Sequence, residues 1–177
     1  GLGYYWEHNN WRKQPFAFKQ DLTVHYSLSQ QAFSVTYKGL FPGAIGKFNL
    51  DLLANFDAIR WTNFYGLGNE TLLTTQEIDY NRIQSREAIG SIGINRKFGR
   101  SFISLTGFYR SIKIINDEER FVAKTIAPFA PSVFDVKNFA GAQLFYKYEW
   151  LNDAAVPTSG FTLSGNGSFT QNVNNVD

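Results

Sequence analysis

The sequence predicts an all-β chain: a transmembrane, antiparallel, up-and-down β-barrel segment with about eight strands. Three observations carry this. Aromatic residues make up 17% of the 177 residues, yet mean hydropathy is only -0.26. The aromatics are spread singly, alternating with Ser, Thr, Asn, Gln, Lys and Asp, as on a sheet that is apolar on one side and wet on the other. The alternating runs are also long. They match the ~9–11 residues that cross a bilayer at a tilt rather than the ~5–6 usual in globular sheets.

Taken in order, an opening strand spans about Leu2 to His8. From Phe16, the residues Phe16, Phe18, Leu22, Val24, Tyr26 and Leu28 form an apolar face interrupted by Gln20, opposite Ala17, Lys19, Asp21, Thr23, His25 and Ser27. Phe33, Val35, Tyr37, Gly39 and Phe41 then oppose Ala32, Ser34, Thr36, Lys38 and Leu40. Phe48, Leu50, Leu52, Ala54, Phe56 and Ala58 oppose Lys47, Asn49, Asp51, Asn55 and Asp57, with Leu53 and Ile59 as exceptions on the polar side. An extended stretch from about Ile78 to Arg96 shows Ala88, Gly90, Ile92 and Ile94 as its apolar face.

After the turn at Lys97–Arg100, the run from Ser101 to Ile115 has an ambiguous phase, of the kind a bulge produces. Ala140, Ala142, Leu144, Tyr146, Tyr148 and Trp150 oppose Gly141, Gln143, Lys147 and Glu149, and Phe161 to Thr170 closes the series. Aromatics near strand ends (Tyr26, Phe41, Trp61, Tyr148, Trp150) fit interfacial girdles. Phe18, Leu22, Val24, Tyr26, Phe33, Val35, Tyr37, Leu50, Leu52, Leu144 and Tyr146 are expected to face lipid. Lys19, Thr23, Ser34 and Lys38 are expected to face the interior.

Connection lengths sort by parity. Ser29–Gln30, Thr62–Thr75 and Asn116–Asn138 fall at one end of the strands. Asn9–Pro15, Pro42–Gly46, Lys97–Arg100 and Leu151–Ser159 fall at the other. Outer-membrane barrels keep their long loops outside, so the set holding the two long loops is expected to be extracellular.

Net charge is +2, with basic and acidic residues interspersed, unlike the clustered basic face that nucleic acid requires. Without cysteine, disulfides and thiolate metal sites are excluded. No run reaches the 18 or more apolar residues of a membrane-spanning helix. No secretory leader pattern opens the chain at GLGYYWEHNN, which is expected to lie within one mature domain spanning residues 1–177.

Three segments carry more specific signals. In Asn63-Phe64-Tyr65-Gly66-Leu67-Gly68-Asn69-Glu70-Thr71 the glycines permit positive φ, so a compact turn is expected at a strand end. No helix follows it, and no Lys-Ser/Thr pair suits phosphate binding. The string resembles the "FYGLGNET" signature of membrane barrels in the BamA/surface-antigen superfamily, particularly large Bacteroidetes-type members. Trp11-Arg12-Lys13-Gln14-Pro15-Phe16-Ala17 is similar to the "WRKxPFA" stretch of an early barrel strand there. Asp153 followed by Pro157-Thr158-Ser159-Gly160-Phe161 is similar to the "D…PTxGF" hairpin, with Ser159 in place of a commoner basic residue.

The resemblance implies an outer-membrane protein concerned with protein insertion, translocation or display of a fused domain. Family barrels have about sixteen strands, so this chain would be the first half of one. Its "LRGY"-type motif and aromatic-ended closing strand are not in the sequence. Implied partners are membrane lipid, lipopolysaccharide, other outer-membrane proteins and the rest of the same barrel; no nucleic acid or small-molecule substrate is indicated. Some similar proteins carry a calcineurin-like metallophosphoesterase, but the two-metal chemistry needs clustered ligands, and His8 and His25 are the only histidines.

The expectation is therefore no catalytic, metal or cofactor site. Both histidines are expected to be hydrogen-bonding side chains on the polar face. Asp117-Glu118-Glu119 lacks calcium-loop spacing and reads as a solvated loop. Two alternatives stand beside this: a complete eight-stranded OmpA/OmpX-like barrel acting structurally or as an adhesin, and a soluble carbohydrate-binding sandwich.

Overall fold

The structure is a computed structural model. It describes residues 1–11, 13–66, 79–153 and 155–174, and of Lys13–Pro15 the backbone alone. Eight strands form one sheet in sequence order: β1 (Leu2–Asn10), β2 (Lys13–Ser27), β3 (Ala32–Ile45), β4 (Phe48–Asn63), β5 (Arg82–Phe98), β6 (Ser101–Ile114), β7 (Lys137–Leu151) and β8 (Gly160–Asn172). Every neighbouring pair is antiparallel. The sheet is not closed, because β1 pairs only with β2 and β8 only with β7 among the described residues.

Most strands run longer than the alternation delimits, but β5 starts at Arg82, after a turn at 79–81, and not near Ile78, and the β2–β3 turn takes 28–31. Strand β3 continues through Pro42–Ile45, leaving only Gly46-Lys47 as its turn. Gly43 and Gly46 take φ of +61° and +63° there, which lets the chain reverse so sharply. The two long loops (64–81 and 115–136) and the short turn at 28–31 fall at one end of the sheet, and the other four connections at the opposite end, as connection parity predicts.

Pairing places residues directly opposite one another on the same face. Leu22–Tyr37–Ala54–Gly90–Tyr109–Ala140 is one such row across β2 to β7. Continued outward, the same face holds Tyr4 and Trp6 of β1 and Phe161, Leu163 and Phe169 of β8. One apolar face thus runs in phase over all eight strands.

The run from Ser101 to Ile114 contains no bulge: β5 and β6 pair without a register shift from Ser85–Ile114 to Phe98–Ser101. Its phase is hard to read because Phe102, Phe108 and Ile112 lie on the otherwise polar face. Phe102 meets Phe145 edge-on at 6.1 Å. Phe108 lies over Gly141, where an added Cβ would approach its ring to 2.5 Å.

Register shifts lie elsewhere, at His8/Asn10, at Phe41/Ile45 and, in β4, between Asp57 and Arg60. There Ala58 and Ile59 stand opposite Arg86 alone. Such a bulge shifts the alternation by one residue. Arg60, which strict alternation would place among Ala58 and Phe56, turns to the polar face, and Trp61 turns to the apolar one.

Among the described residues no second layer covers the sheet. Among the described residues, Ala32 and Val122 are the only buried hydrophobic side chains. A sandwich of this length would instead bury one face of each sheet between its layers.

Candidate lipid-facing surface and polar-face charge cluster

Phe18, Leu22, Val24, Tyr26, Phe33, Val35, Tyr37, Leu50, Leu52, Leu144 and Tyr146 all lie on the apolar face. Leu22, Val24, Tyr26, Phe33, Ile92, Leu105, Tyr109, Leu144 and Tyr146 are exposed there despite their size. Two polar contacts lie on this face. Tyr37 Oη donates to Gln20 Oε1 at 3.3 Å, and the Ser101 and Tyr146 hydroxyls are 3.0 Å apart.

The apolar band has charged margins. On β5, Ala88, Gly90, Ile92 and Ile94 lie between Arg86 and Arg96. Ten residues at ~3.3 Å each separate the two arginines by about 33 Å along the strand. At a ~40° tilt this is about 25 Å of height, the height of the apolar band of outer-membrane barrels. Cations over rings mark both margins: Arg96 over Phe48 at 5.4 Å and Arg100 over Trp150 at 5.7 Å at the short-turn end, and Arg120 over Trp61 at 5.0 Å at the long-loop end.

On the other face, Lys19, Thr23, Ser34 and Lys38 share a side with Asp21, Asp51, Asn55 and Glu87. The most buried charged side chain on this face among the described residues is Glu87, 5% exposed, towards the long-loop end of β5. Its Oε2 accepts from Arg60 Nη1 and from Arg110 Nη2, both at 3.0 Å, and its Oε1 accepts from Ser85 Oγ at 3.3 Å. Such a buried carboxylate is tolerable only because it is multiply paired. A second network joins Asn49 Nδ2 to Asn95 Oδ1 at 2.9 Å, and Asn95 in turn donates to Asp51.

The polar face is legible in the alternation of residues, but the Glu87 cluster is not. Glu87 and Arg110 are legible as mid-strand charges, whereas Arg60 lies out of phase until the bulge is known. His25 is on the polar face; His8 is not. It pairs with Phe18 and stacks on that ring at 5.3 Å, on the apolar side. The register shifts only beyond His8, where Asn10 faces Lys13 and Asn9 alone spans Gln14–Ala17.

The motif residues serve as turns and rims. Asn63 ends β4, and Phe64 N–H donates to Asn81 O at 2.7 Å. Phe64 and Tyr80 both pack on Phe121, at 6.0 and 5.8 Å, so the two long loops rest on each other. Gly66 has a φ of +125°, in the region that favours glycine. Leu67, Gly68, Asn69, Glu70 and Thr71, with the rest of 67–78, lie outside the described residues.

In the β7–β8 hairpin, Asp153 Oδ1 accepts from the N–H groups of Ala155 and Val156 at 2.7 and 3.0 Å. These bonds hold the Asp153 carboxyl below the usual range, Val156 first. Asn152 Nδ2 donates to Thr158 Oγ1 at 2.7 Å. Asn152 Oδ1 accepts from the Thr158 and Ser159 N–H groups at 3.0 Å each. Pro157 lies between these paired residues. Gly160 restarts the strand at φ +135°, where a Cβ would come within 2.0 Å of Trp150 O.

The acidic loop is likewise committed. Asp117 takes Arg120 Nε at 2.8 Å and Glu119 N–H at 3.1 Å. Immediately after it, Val122–Ile126 forms a single π-helical turn whose Val122 is 3% exposed. No family model, curated protein or solved structure matches this chain.

Proposed function

We propose that this chain is part of the wall of a bacterial outer-membrane β-barrel, non-enzymatic, whose apolar face contacts lipid and whose polar face lines the interior. The observation that carries the reading is the apolar band between Arg86 and Arg96, exposed, in phase across eight strands and of bilayer height. Hydrocarbon offers no hydrogen-bond partner to an open sheet edge. In this reading, further strands therefore pair with β1 and β8 in the membrane. The three motif resemblances favour a barrel of the BamA/surface-antigen type, a scaffold for protein insertion, translocation or display. A seam at β1 whose pairing is incomplete suits that role, since unpaired N–H and C=O groups there template an added strand.

The cysteine-free chain permits a clean test. Single cysteines at Val24, Ile92 and Leu144 carry a fluorophore quenched by brominated lipid after folding into vesicles; those at Thr23, Ser91 and Gln143 are not quenched. Equal quenching of both sets, or a folded chain that needs neither detergent nor lipid, overturns the reading.

A further inference from the structure

At the long-loop margin of the apolar band, Arg86 of β5 stands directly opposite Lys113 of β6. Residues so paired point to the same face with Cβ atoms ~4.5–5.5 Å apart, and like charges there repel. Both side chains are exposed, and neither has an ion-pair partner among the described residues. A cleft of about 440 Å³ opens beside them, lined by Arg86, Lys113, Ile115, Asn116 and Phe134. Deeper into the band, the next pair is Ala88–Ser111 and the one after it Gly90–Tyr109.

We infer that Arg86 and Lys113 form a clamp for the phosphate of a phosphorylated lipid headgroup, with Phe134 and the band below receiving its acyl portions. The inference rests on the barrel reading above, which puts this margin at headgroup depth. An anion between the two cations turns their repulsion into a shared attraction. The guanidinium offers a planar pair of donors that matches phosphate oxygens, and the ammonium adds a point charge. A freely dissolved phosphate would meet the same cations but would leave the apolar side of the cleft unused.

The test uses the full chain folded in non-ionic detergent, with native mass spectrometry counting retained phosphatidylglycerol. Arg86→Gln with Lys113→Gln should weaken retention by about 25-fold, the effect of two basic residues at a membrane surface. Lys19→Gln with Lys38→Gln removes the same charge from the other face and should change it less than about twofold. Lys113→Glu creates a complementary pair with Arg86, so it should fold normally and still lose the lipid. Undiminished retention in the Arg86/Lys113 variants, or equal loss in the Lys19/Lys38 variant, overturns the clamp. Displacement of lipid by equimolar inorganic phosphate overturns the lipid assignment in favour of a soluble anion. A chain that stays folded without detergent overturns the barrel reading itself, which the circular dichroism of the same samples reports separately.

Discussion

Arg110 Nη2 and Glu87 Oε2 stand 3.0 Å apart on the polar face, and the same oxygen takes Arg60 Nη1 at 3.0 Å. Glu87 is nearly closed to solvent at 6% side-chain exposure, whereas Arg110 and Arg60 keep 39% and 50%. Arg110 Nε is buried without a hydrogen-bond partner, so this guanidinium depends on the carboxylate for its satisfied contacts. Three strands, β4, β5 and β6, are tied together at one atom.

Truncating Glu87 to Ala should therefore cost ~1–3 kcal/mol, the penalty for stranding partners. Water reaching the two arginines keeps the loss below that of a fully buried pair. Urea denaturation of the protein in detergent measures it. Arg60→Ala combined with Glu87→Ala should cost less than the sum of the single variants; strict additivity would show the contact to be energetically idle.

Ile92 sits near the middle of the span from Arg86 to Arg96, so Ile92→Arg should cost ~2–4 kcal/mol in a bilayer, the value for a lipid-facing cation at the midplane. Val24→Arg should behave similarly if it lies at that depth. Thr23→Lys, on the polar face, should stay within about 1 kcal/mol. Folding titrations in vesicles compare them, and similar costs on both faces would sink the assignment.

Gly141 accepts Phe108 over its open face, and a Cβ there would also come within 2.4 Å of Phe169 O. Gly141→Ala must displace backbone as well as a ring and should destabilise by ~1–3 kcal/mol. Gly107→Ala, with nothing near its Cβ position, is the matched control. Equal melting temperatures for the two would refute the packing argument.

The two long loops are joined near Arg120, which bonds Asp117, donates to Asp79 O and covers Trp61. The Arg120 bond first, and the Glu119 N–H second, hold the Asp117 carboxyl below its ordinary range. A carboxylate depressed on folding stabilises fully above its unfolded pKa, ~3.9 for Asp, and this is lost as pH falls through the folded value. The latch should thus be intact at neutral pH and weaken below about pH 4. Protection of the Phe121 N–H, which donates to Tyr80 O at 2.9 Å, should fall there; Asp117→Asn should abolish that pH dependence. Unchanged protection from pH 6 to pH 2.5 would disprove it.

Much of this was already written in the order of residues. Alternation from Phe16 to Phe41 determined which side chains share a face, because a strand's period of two leaves no other phase. Loop lengths determined which connections lie at the same end, and the glycines and Asn152–Asp153 determined where the chain could turn. Tertiary structure decided the rest. The extra residue at Ala58–Ile59 became a bulge only because β5 offers Arg86 alone opposite it, and this put Arg60 beside Glu87 and Trp61 on the outer face. The phase of β6 was settled by partners on two sides, since Phe102 and Phe108 are apolar residues on the polar face. They are accommodated by Phe145 and Gly141, which come from a strand about forty residues away. Local periodicity reports what each strand prefers, but register and bulges are fixed by hydrogen-bonded neighbours that no single strand encodes.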